Sequence, residues 1–331
     1  MENLSNSLSK TMLLYNPLSR HGLAAQLVPQ VRNVLQQILP GSTDITLIDI
    51  TASDFATRFE QACTEGPPPK LIVLMGGDGT VHSMTNFFMS RDNSALPPIL
   101  ILGLGTGNDI AKSLKLPVLT AKLSPPCFRH LDLSAPPRFM DVVRLNEKTV
   151  FVDMCSLGLE AKILAVREQI LTLLHKYLGR HVRWIPRYPV YAVATAIGLL
   201  SFRPFACHLS VDGESPVSIR AINILIKNVP VHAGEFIPSP VASAFDGKLD
   251  LIICTSRLQF IRSYLASWRF LPQRLRESCI VPKVRQIRTL RWHSDGPPVP
   301  MQLDGELTDP SSAIQLDVIP ATLPVVTGEK T

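Results

Sequence analysis

The sequence predicts an α/β domain with a parallel sheet covered by helices on both faces, followed by a mainly antiparallel β-sandwich domain. Over the first 115 residues, short apolar runs alternate with amphipathic stretches, which is typical of a parallel sheet between two helical layers. After a proline-rich stretch from Pro117 to Pro137, strand-like runs are separated by turn residues. A length of 331 residues with 46% hydrophobic residues suits two domains with sizeable cores.

The elements of the first domain follow from its apolar runs and its glycines. Ligands of parallel sheets sit beyond the carboxyl ends of the strands, so motifs at those ends matter most. Helices are predicted over Gly22–Leu39 and Asp54–Thr64, after Thr80, and from about Asn108. Strands are predicted over Thr11–Tyr15, Ile45–Ile50, Leu71–Met75 and Ile99–Leu104.

The second domain is predicted from strands around short turns, interrupted by two helices. Asn146-Glu147-Lys148 and Asp212-Gly213 are hairpin signals, and Asp246-Gly247 precedes a further strand. The helices are predicted over Leu159–Leu178 and Val190–Leu200. The strands are predicted over Phe139–Leu145, Thr149–Cys155, Cys207–Val211, Val217–Lys227 and Leu249–Cys254.

Composition and charge exclude several classes of protein. The six cysteines are scattered without a CxxC pair, which indicates small core residues in a reducing compartment. No secretory signal is visible, and the longest apolar stretch, Val190–Leu200, is about half of what a membrane span needs. We therefore expect a cytoplasmic protein that does not cross a membrane but associates with one peripherally.

The net charge of +6 is concentrated in one segment. Nine arginines and lysines lie between Arg257 and Arg291, opposed only by Glu277. A solvated helix face and a surface for an anionic membrane are both compatible with this pattern, and Trp268 and Phe270 favour the membrane. Nucleic acid is disfavoured because the segment has no recognition motif.

The motif with the most chemical content is Gly76-Gly77-Asp78-Gly79-Thr80, directly after a predicted strand. Glycines let backbone N–H groups approach phosphates closely, and the N-terminus of the following helix favours anionic oxygens. An ordinary glycine turn is the alternative, but this pentapeptide is rare by chance. The motif predicts a phosphate-binding loop.

A second glycine turn, Gly105-Thr106-Gly107-Asn108-Asp109, follows the next predicted strand. It offers another backbone cradle, with Thr106 and Asn108 as donors and Asp109 as a cap or as an acceptor for metal-bound water. The chain has no GxxxxGK[ST] loop, and the fit to GxGxxG is poor. Two glycine turns on neighbouring strand ends predict one polyphosphate site.

A third motif, Asn16-Pro17-Leu18-Ser19-Arg20, ends the first predicted strand. Asn16 and Ser19 have side chains suited to a nucleotide, and Arg20 suits a phosphate. A loop that simply ends a strand is the alternative.

These three motifs in this order resemble the diacylglycerol kinase catalytic domain family, which includes bacterial soluble lipid kinases and sphingosine kinases. In the second half, Gly234 with Pro238 and Pro240, and Asp246-Gly247-Lys248-Leu249-Asp250, resemble further segments of the family. The resemblance covers nearly the whole chain. It implies a lipid kinase that uses ATP and Mg²⁺, with diacylglycerol as the default acceptor.

The resemblance also implies domain bounds and further site residues. Residues 1–137 and the C-terminal segment 318–331 would form the nucleotide-binding domain, residues 138–317 the lipid-binding β-sandwich, and the active site the cleft between them. Thr51 would join the nucleotide pocket, whose other members are Asn16, Pro17, Ser19, Arg20, Gly76, Gly77, Asp78, Gly79, Thr80, Gly105, Thr106 and Asn108. Asp246 would hold a structural Mg²⁺ with the backbone carbonyls of Ser243 and Lys248, the alternative being a plain Asp-Gly turn.

The tripeptide Asp-Gly-Glu occurs twice, and the resemblance separates the copies. Asp212-Gly213-Glu214 lies between two alternating strands and is interpreted as a type I′ hairpin. The copy at Asp304-Gly305-Glu306 matches the family's C-terminal catalytic glutamate. Glu306 is therefore the first candidate for the base that takes the acceptor proton, and Asp78 is the rival.

Three departures from the family pattern leave other functions open. His82-Ser83 stands in place of an Asn-Glu pair, Phe245 in place of a second Asp, and Arg20-His21 in place of a small residue. An NAD kinase-like enzyme and a lipid- or nucleotide-binding protein without catalysis are the alternatives. The membrane lipid that accepts the phosphoryl group is open, and a homodimer is one candidate assembly.

Overall fold

The computed structural model describes residues 9–39, 43–91, 96–121, 128, 131–179, 187–272, 274 and 282–328. The chain separates into two compact units. The first unit holds the residues up to Val142, the short segment Val231–Gly234 and the residues from Pro320 onward. The second unit holds Val143–Pro230 and Glu235–Ile319. The Val231–Gly234 segment was not predicted from the sequence.

The first unit is built on four parallel strands in the order β2-β1-β3-β4. Leu71 to Gly76 of β3 and all of β4 are buried, as expected for central strands covered on both faces. The strands are β1 (Ser9–Tyr15), β2 (Thr43–Asp49), β3 (Pro69–Gly76) and β4 (Ile99–Gly103). The helices are α1 (Ser19–Ile38), α2 (Phe55–Thr64), α3 (Asp78–Met89) and α4 (Asp109–Ser113). The predicted fold class of this domain is confirmed.

The second unit packs antiparallel strands around one apolar core. Trp292 is its largest fully buried side chain, and strands of both sheets contribute to the core. One sheet has the order β12-β11-β10-β7-β14-β15, and β16, β13, β8 and β9 follow one another in the other. The strands are β5 (Arg138–Leu145), β6 (Thr149–Phe151), β7 (Met154–Gly158), β8 (Phe205–Val211), β9 (Val217–Ala221), β10 (Asn223–Lys227), β11 (Leu249–Cys254), β12 (Val284–Ile287), β13 (Thr289–Ser294), β14 (Val299–Leu303), β15 (Glu306–Ser311) and β16 (Ala313–Val325).

Two strands predicted as continuous are each divided between two sheets. The Thr149–Cys155 run breaks at Asp153, whose N–H donates to the carboxylate of Asp304 instead of a neighbouring strand. The Val217–Lys227 run breaks at Ile222. The halves before the breaks, β6 and β9, pair with β5 and β8, and the halves after them, β7 and β10, pair with each other. The prediction of single strands was wrong because the apolar pattern continues through both breaks.

Three helices form one layer of the second unit: α5 (Leu159–Leu178), α6 (Arg187–Ser201) and α7 (Arg257–Ser267). A Cβ on Gly198 of α6 would lie 2.7 Å from Cγ1 of Ile163, so the glycine allows α5 and α6 to approach closely. The Arg257 guanidinium donates to the carbonyl oxygens of Leu199 (2.5 Å) and Phe202 (2.8 Å) at the end of α6. Among the described residues, no helix is both long and apolar enough to span a membrane.

The basic segment from Arg257 to Arg291 is divided between different elements. Arg257 and Arg262 lie on α7, whereas Arg285 and Arg291 lie on β12 and β13. Arg285 forms an ion pair with Glu214 at 2.5 Å. Arg276 and Glu277 of the predicted segment lie outside the described residues. The segment is therefore not a single helix face.

Candidate active site

The two glycine turns lie side by side at the carboxyl edge of the parallel sheet. Strands β3 and β4 pair with Gly76 opposite Gly103. A Cβ on Gly105 would lie 2.5 Å from Cα of Gly77, and a Cβ on Gly77 would lie 2.9 Å from Cα of Gly105. No side chain fits at either position without moving the backbone. The predicted neighbourhood of the two turns is therefore confirmed, and their surface is main chain.

The first turn presents Asp78 toward the second. Gly77 precedes α3, and Asp78 is the first helical residue, where the N-terminal N–H groups favour negative charge. Oδ1 of Asp78 accepts the N–H of Ile110 at 3.3 Å. A Cβ on Gly107 would lie 3.1 Å from Oδ2 of Asp78. The half-buried carboxylate thus lies between the starts of α3 and α4.

The second turn is closed by the side chain of Asn108. This residue has a left-handed backbone (φ 55°), which Asn tolerates better than most residues. Its Oδ1 accepts the N–H of Gly105 at 2.5 Å, and its Nδ2 donates to the carbonyl of Gly105 at 3.2 Å. Asn108 is buried and shapes the turn, whereas Thr106 is exposed at the tip. The predicted nucleotide contacts of both residues stay predictions.

The Asn16 motif is joined to the first glycine turn. The backbone N–H of Asn16 donates to the carbonyl of Met75 at 3.2 Å, and its Nδ2 donates to Oγ1 of Thr80 at 3.4 Å. Thr80 is buried, and its side chain fills the space above Gly76, where a Cβ would lie 2.4 Å from Oγ1. Three of the predicted motifs therefore meet at one edge of the first unit.

Arg20 begins α1 with an irregular turn. Arg20, His21 and Gly22 have φ of 53°, 58° and 87°, so the first regular turn of the helix follows them. Nη1 of Arg20 donates to the carbonyl of Leu119 at 3.1 Å. This contact ties the loop after β1 to the segment after α4. A phosphate contact for Arg20 stays a prediction, as do the contacts of Pro17 and Ser19 beside it.

Thr51 lies just beyond the end of β2. Its N–H and its hydroxyl donate to Oδ1 of Asp49 at 2.8 and 2.7 Å. Strand β1 stands between β2 and β3 in the sheet, so Thr51 is one strand further from the glycine turns than Asn16. Its place in the nucleotide pocket stays a prediction.

The segment Val231–Gly234 is held beside the second glycine turn by residues whose role the sequence did not reveal. Oδ1 of the buried Asp109 accepts the N–H of Gly234 at 2.6 Å, and Nζ of Lys112 donates to the Gly234 carbonyl at 2.9 Å. A Cβ on Gly234 would lie 3.3 Å from the carbonyl oxygen of Gly107. Asp109, expected as a cap or as an acceptor for metal-bound water, thus anchors this segment. In the sequence, the match of Gly234 to the family pattern was the one indication that this segment matters.

In the second unit, Asp304 and Gly305 form a tight hairpin turn between β14 and β15. Both have positive φ (48° and 83°), and Leu303 pairs with Glu306 across the turn. The buried carboxylate of Asp304 accepts the N–H groups of Val152 (3.1 Å), Asp153 (2.8 Å) and Met154 (3.0 Å). Glu306 is the first residue of β15 and is exposed.

Further buried polar groups surround Asp304, whose carboxylate holds this turn in place. Nζ of Lys227 forms an ion pair with Oδ1 of Asp153, and both side chains are almost fully buried. The Asn228 N–H donates to the carbonyl of Asp153 at 2.8 Å, and Nδ2 of Asn228 donates to the carbonyl of Val152 at 2.8 Å. Buried groups of this kind lock a backbone in place because leaving any of them unpaired is costly. The backbone of the turn before Glu306 is therefore held by residues that carry no catalytic signal in the sequence.

The loop predicted to hold a structural Mg²⁺ is a turn on the surface of the second unit. Oδ1 of the exposed Asp246 accepts the N–H of Lys248 at 3.0 Å, and the N–H of Phe245 donates to Oγ of Ser243 at 3.4 Å. A carboxylate with backbone carbonyls is a donor set that suits Mg²⁺, so the loop fits the ion chemically. One Asp246 oxygen already bonds the turn, as in the plain Asp-Gly alternative. The metal assignment stays a prediction.

Asp250 ends the Asp246–Asp250 segment that resembles the family, but no role was predicted for it. It is buried on β11, and desolvation raises the pKa of its carboxyl, opposed by the hydroxyl of Ser239, which donates to it. Its cross-strand partners are Lys227 and Gln286. Asp250 thus lies inside the sheet, where the Ser239 hydroxyl bonds its carboxyl group.

The candidate residues thus fall into two groups. The glycine turns and the Asn16 motif come together in the first unit, whereas Glu306 and the Asp246 loop belong to the second unit. The site shared by Asp78 and Glu306 stays a prediction.

Comparisons with known proteins agree with both units. Residues 10–133 match the diacylglycerol kinase catalytic domain family, and residues 175–327 match the YegS C-terminal NAD kinase beta sandwich-like domain. A "Diacylglycerol kinase" from Mycobacterium tuberculosis is 22% identical over 97% of this chain and 96% of its own length. A "Probable lipid kinase YegS-like" from Enterobacter is 31% identical, but the match covers 33% of this chain and 34% of that protein.

A solved structure supports the fold. A putative diacylglycerol kinase from Bacillus anthracis superposes with a TM-score of 0.68 at 19% identity, covering 96% of this chain and 97% of that one. Both domain types, in this order, are therefore similar to those of the YegS and diacylglycerol kinase proteins. Residues 10–133 therefore belong to the diacylglycerol kinase catalytic domain family, and residues 175–327 to the YegS-type C-terminal domain.

Proposed function

We propose that this protein transfers the γ-phosphoryl group of ATP to a hydroxyl of a membrane lipid, with diacylglycerol as the first candidate acceptor. The observation that carries the proposal is the pair of touching glycine turns, where a Cβ on Gly105 would lie 2.5 Å from Cα of Gly77. A surface made of main chain at the starts of two helices is suited to phosphate oxygens. The names of the relatives supply the class of acceptor.

The reaction is an in-line displacement at the γ-phosphorus. The lipid oxygen forms a bond to that phosphorus while the bond to the β–γ bridging oxygen breaks, and ADP leaves. The proton of the lipid hydroxyl passes to the carboxylate of Glu306. Asp78 is the alternative acceptor of this proton, because its half-buried carboxylate lies between the two glycine turns.

Mg²⁺ bound with the nucleotide would neutralise part of the negative charge of the phosphates. If Glu306 is the base, Asp78 would hold this ion or its water ligands, since its carboxylate borders both turns. Asn108 and Thr80 hold the turns in shape for the triphosphate.

Contact with a membrane is part of the proposal because the acceptor is a lipid. The helix α6 has no charged residue between Tyr188 and Ser201, yet its outer side is exposed, with Leu200 at 84%. An apolar helix face open to solvent is unusual for a surface helix. The other large exposed apolar residues of α6 and of the α7 region are Tyr188, Tyr191, Val193, Ile197, Leu258, Ile261, Leu265, Trp268 and Phe270.

Basic residues beside this apolar face favour an anionic leaflet. Arg262 and Arg269 are exposed in the α7 region, whereas Arg257 is committed to the end of α6. Each basic residue near such a surface contributes about 1 kcal/mol of attraction. The proposed membrane surface therefore differs from the predicted segment 257–291: it consists of α6 and the α7 region and leaves out β12 and β13.

A phosphorylation assay tests the proposal. The purified chain is incubated with labelled ATP, Mg²⁺ and vesicles that contain diacylglycerol, a sphingoid base, a prenol or phosphatidylglycerol, and NAD is supplied in a separate reaction. We expect a labelled lipid, with diacylglycerol as the best acceptor. Labelled NADP would support the NAD kinase-like alternative, and the absence of every labelled product would support a binding protein.

The substitution Gly105→Ala tests whether the two glycine turns bind the phosphates of ATP. We expect ATP affinity to fall at least ~10-fold, because the new Cβ forces the two turns apart and a misplaced phosphate loses several hydrogen bonds. Gly296→Ala is the matched control, since its Cβ would meet nothing closer than 4.0 Å. Unchanged ATP affinity in a folded Gly105→Ala protein would contradict the assignment.

Vesicle binding tests the proposed membrane surface. Leu200→Gln removes an exposed leucine from α6, and Leu18→Gln removes one from the first unit, where Leu18 is 73% exposed. Burial of one leucine in the membrane contributes about 1.5–3 kcal/mol, so we expect vesicle affinity to fall about tenfold or more for Leu200→Gln. Equal losses for the two variants would show that α6 is not the contact.

A further inference from the structure

Outside the proposed catalytic machinery, three polar side chains of the second unit converge on one point. Nε2 of His208 lies 2.8 Å from Oδ1 of Asp295, and Nε2 of His293 lies 3.9 Å from the same oxygen. One ligand atom from each of the three residues lies within 4.8 Å of the others. Among the described residues this is the one group of three or more His, Cys, Asp or Glu side chains with such spacing.

The strands hold the two histidines in register. His208 of β8 is the cross-strand partner of His293 of β13, and their rings stack with centroids 4.5 Å apart and an interplanar angle of 16°. The neighbours Cys207, Leu209 and Trp292 point the other way and are buried in the core. A shift of register would move these core residues to the surface, so the histidine pair is fixed by the core.

Asp295 is held in place by its backbone. Its N–H donates to the carbonyl of Ala206 at 3.1 Å, and the N–H of the preceding Ser294 donates to Ser312 at 2.8 Å. The N–H of Gly296 donates to Oγ of Ser294 at 3.2 Å. The loop after β13 is therefore tied on both sides of Asp295, and the carboxylate is presented to the two imidazoles.

We propose that His208, His293 and Asp295 bind a divalent transition-metal ion of the Zn²⁺ type. Two imidazoles and a carboxylate are ligands that Zn²⁺ accepts and that Mg²⁺ rarely uses. Ligand atoms about 2.0–2.1 Å from a tetrahedral ion lie ~3.4 Å apart, and the distances from Oδ1 of Asp295 to Nε2 of His208 (2.8 Å) and of His293 (3.9 Å) bracket that value. Because an imidazole binds an ion in the plane of its ring, the two stacked rings would also rotate about their Cβ–Cγ bonds to share one ion.

The ring of His208 also has the outer partner that metal-binding histidines need. Nδ1 of His208 lies 2.8 Å from Oγ of Ser218, which is its cross-strand partner on β9. A serine hydroxyl either donates or accepts, so it can take the N–H of Nδ1 when Nε2 binds the ion. The ligand side chains are 30–58% exposed, so an ion and a water or other fourth ligand have access.

Zinc binding by the purified, metal-free protein tests this site. The chain is titrated with ZnCl₂ against a chromophoric chelator, and we expect one equivalent to bind. His293→Ala and His208→Ala should raise the dissociation constant more than ~10-fold, and Ser218→Ala about tenfold. His175→Ala is the matched control, because His175 is an exposed histidine on α5 outside the group. Binding in His293→Ala equal to that of the unchanged chain, or no binding at all, would overturn the proposal.

Two further measurements distinguish Zn²⁺ binding at this site from misfolding of a variant and from binding to cysteines. The midpoint of thermal unfolding should rise with Zn²⁺ in the unchanged chain and in His175→Ala, but not in Asp295→Asn. Co²⁺ bound at the site should show no sulfur-to-metal charge-transfer band, whereas such a band would assign the ion to a cysteine such as Cys207 and overturn the proposal. Displacement of Zn²⁺ by Mg²⁺ would also overturn it. These measurements read binding alone, so the lipid kinase proposal does not depend on them.

Discussion

The two Asp-Gly-Glu turns have the same sequence and the same backbone geometry. At 212–214 the Asp and Gly have φ of 51° and 80°, and at 304–306 they have 48° and 83°. In both turns the Asp carboxylate accepts N–H groups of other segments, from Arg288 and Thr289 for Asp212 and from the backbone 152–154 for Asp304. The predicted type I′ turn at 212–214 is confirmed, with the N–H of Glu214 donating to Val211 at 2.9 Å.

The surroundings of the turns differ. Asp304 is buried and lies beside the buried Asp153–Lys227 ion pair, whereas Asp212 is exposed. Glu214 is held by Arg285, which lowers the pKa of Glu214, and Glu306 opens the edge strand β15. The tripeptide alone therefore specifies a turn. The residues packed beneath it decide whether its glutamate is rigidly presented, and this difference supports Glu306 as the catalytic candidate.

The largest effect expected from this comparison is on turnover. Glu306→Gln should lower the rate of lipid phosphorylation by a factor of about 10²–10⁴, the usual contribution of a general base, because the amide cannot take the acceptor proton. Glu214→Gln, the same change in the other turn, should leave the rate within about twofold. The measurement is the initial rate at saturating ATP and lipid.

A fully active Glu306→Gln enzyme would move the role of the base to Asp78. An equal loss in Glu214→Gln would remove the distinction between the two turns.

The next effect is on stability. Asp304→Ala leaves three backbone N–H groups without their acceptor, and each buried unsatisfied donor costs about 1–3 kcal/mol, so we expect the free energy of unfolding to fall by ~3 kcal/mol or more. Asp212→Ala should cost about 1 kcal/mol, since water replaces the lost acceptor at the surface. Urea unfolding of both variants gives the two values. Equal losses would contradict the role assigned to burial.

The smallest effect is a dependence of stability on pH. Because Arg285 lowers the pKa of Glu214 in the folded protein, this carboxylate stabilises the fold above its unfolded pKa, and the contribution fades as the pH falls through the folded pKa. The unfolding midpoints of the unchanged chain and Glu214→Gln should therefore differ slightly at neutral pH and converge in acid. Added salt should reduce the neutral-pH difference, because the pair is exposed. A difference that grows in acid would contradict the assignment.

The sequence predicted those features that depend on local patterns. The parallel sheet, the helix Leu159–Leu178, the strand Leu249–Cys254 and the adjacency of the glycine turns follow from apolar periodicity and strand-end glycines. The breaks at Asp153 and Ile222 could not be predicted, because the strand pattern continues through them and the cause lies in distant residues. The change of partner at Asp153 depends on an aspartate 151 positions away.

The roles of several site residues also could not be predicted from the sequence, because they depend on contacts with distant residues. Asp109 and Lys112 anchor Gly234 through contacts that span more than 100 positions, and no short motif encodes such contacts. The choice of Glu306 over Glu214 depended on a family resemblance, since the two tripeptides are identical. The arrangement of Asp304, Asp153 and Lys227 supplies a physical reason for that choice.

A crystal structure of the Glu306→Gln protein with bound ATP and Mg²⁺ would test whether the glycine turns and Glu306 form one active site. We expect the triphosphate to lie on the backbone of Gly76–Gly79 and Gly105–Gly107. We also expect the side chain at position 306 to face the γ-phosphate, with space between them for one acceptor oxygen. A γ-phosphate bound elsewhere, or a residue 306 turned away from it, would contradict the proposed active site.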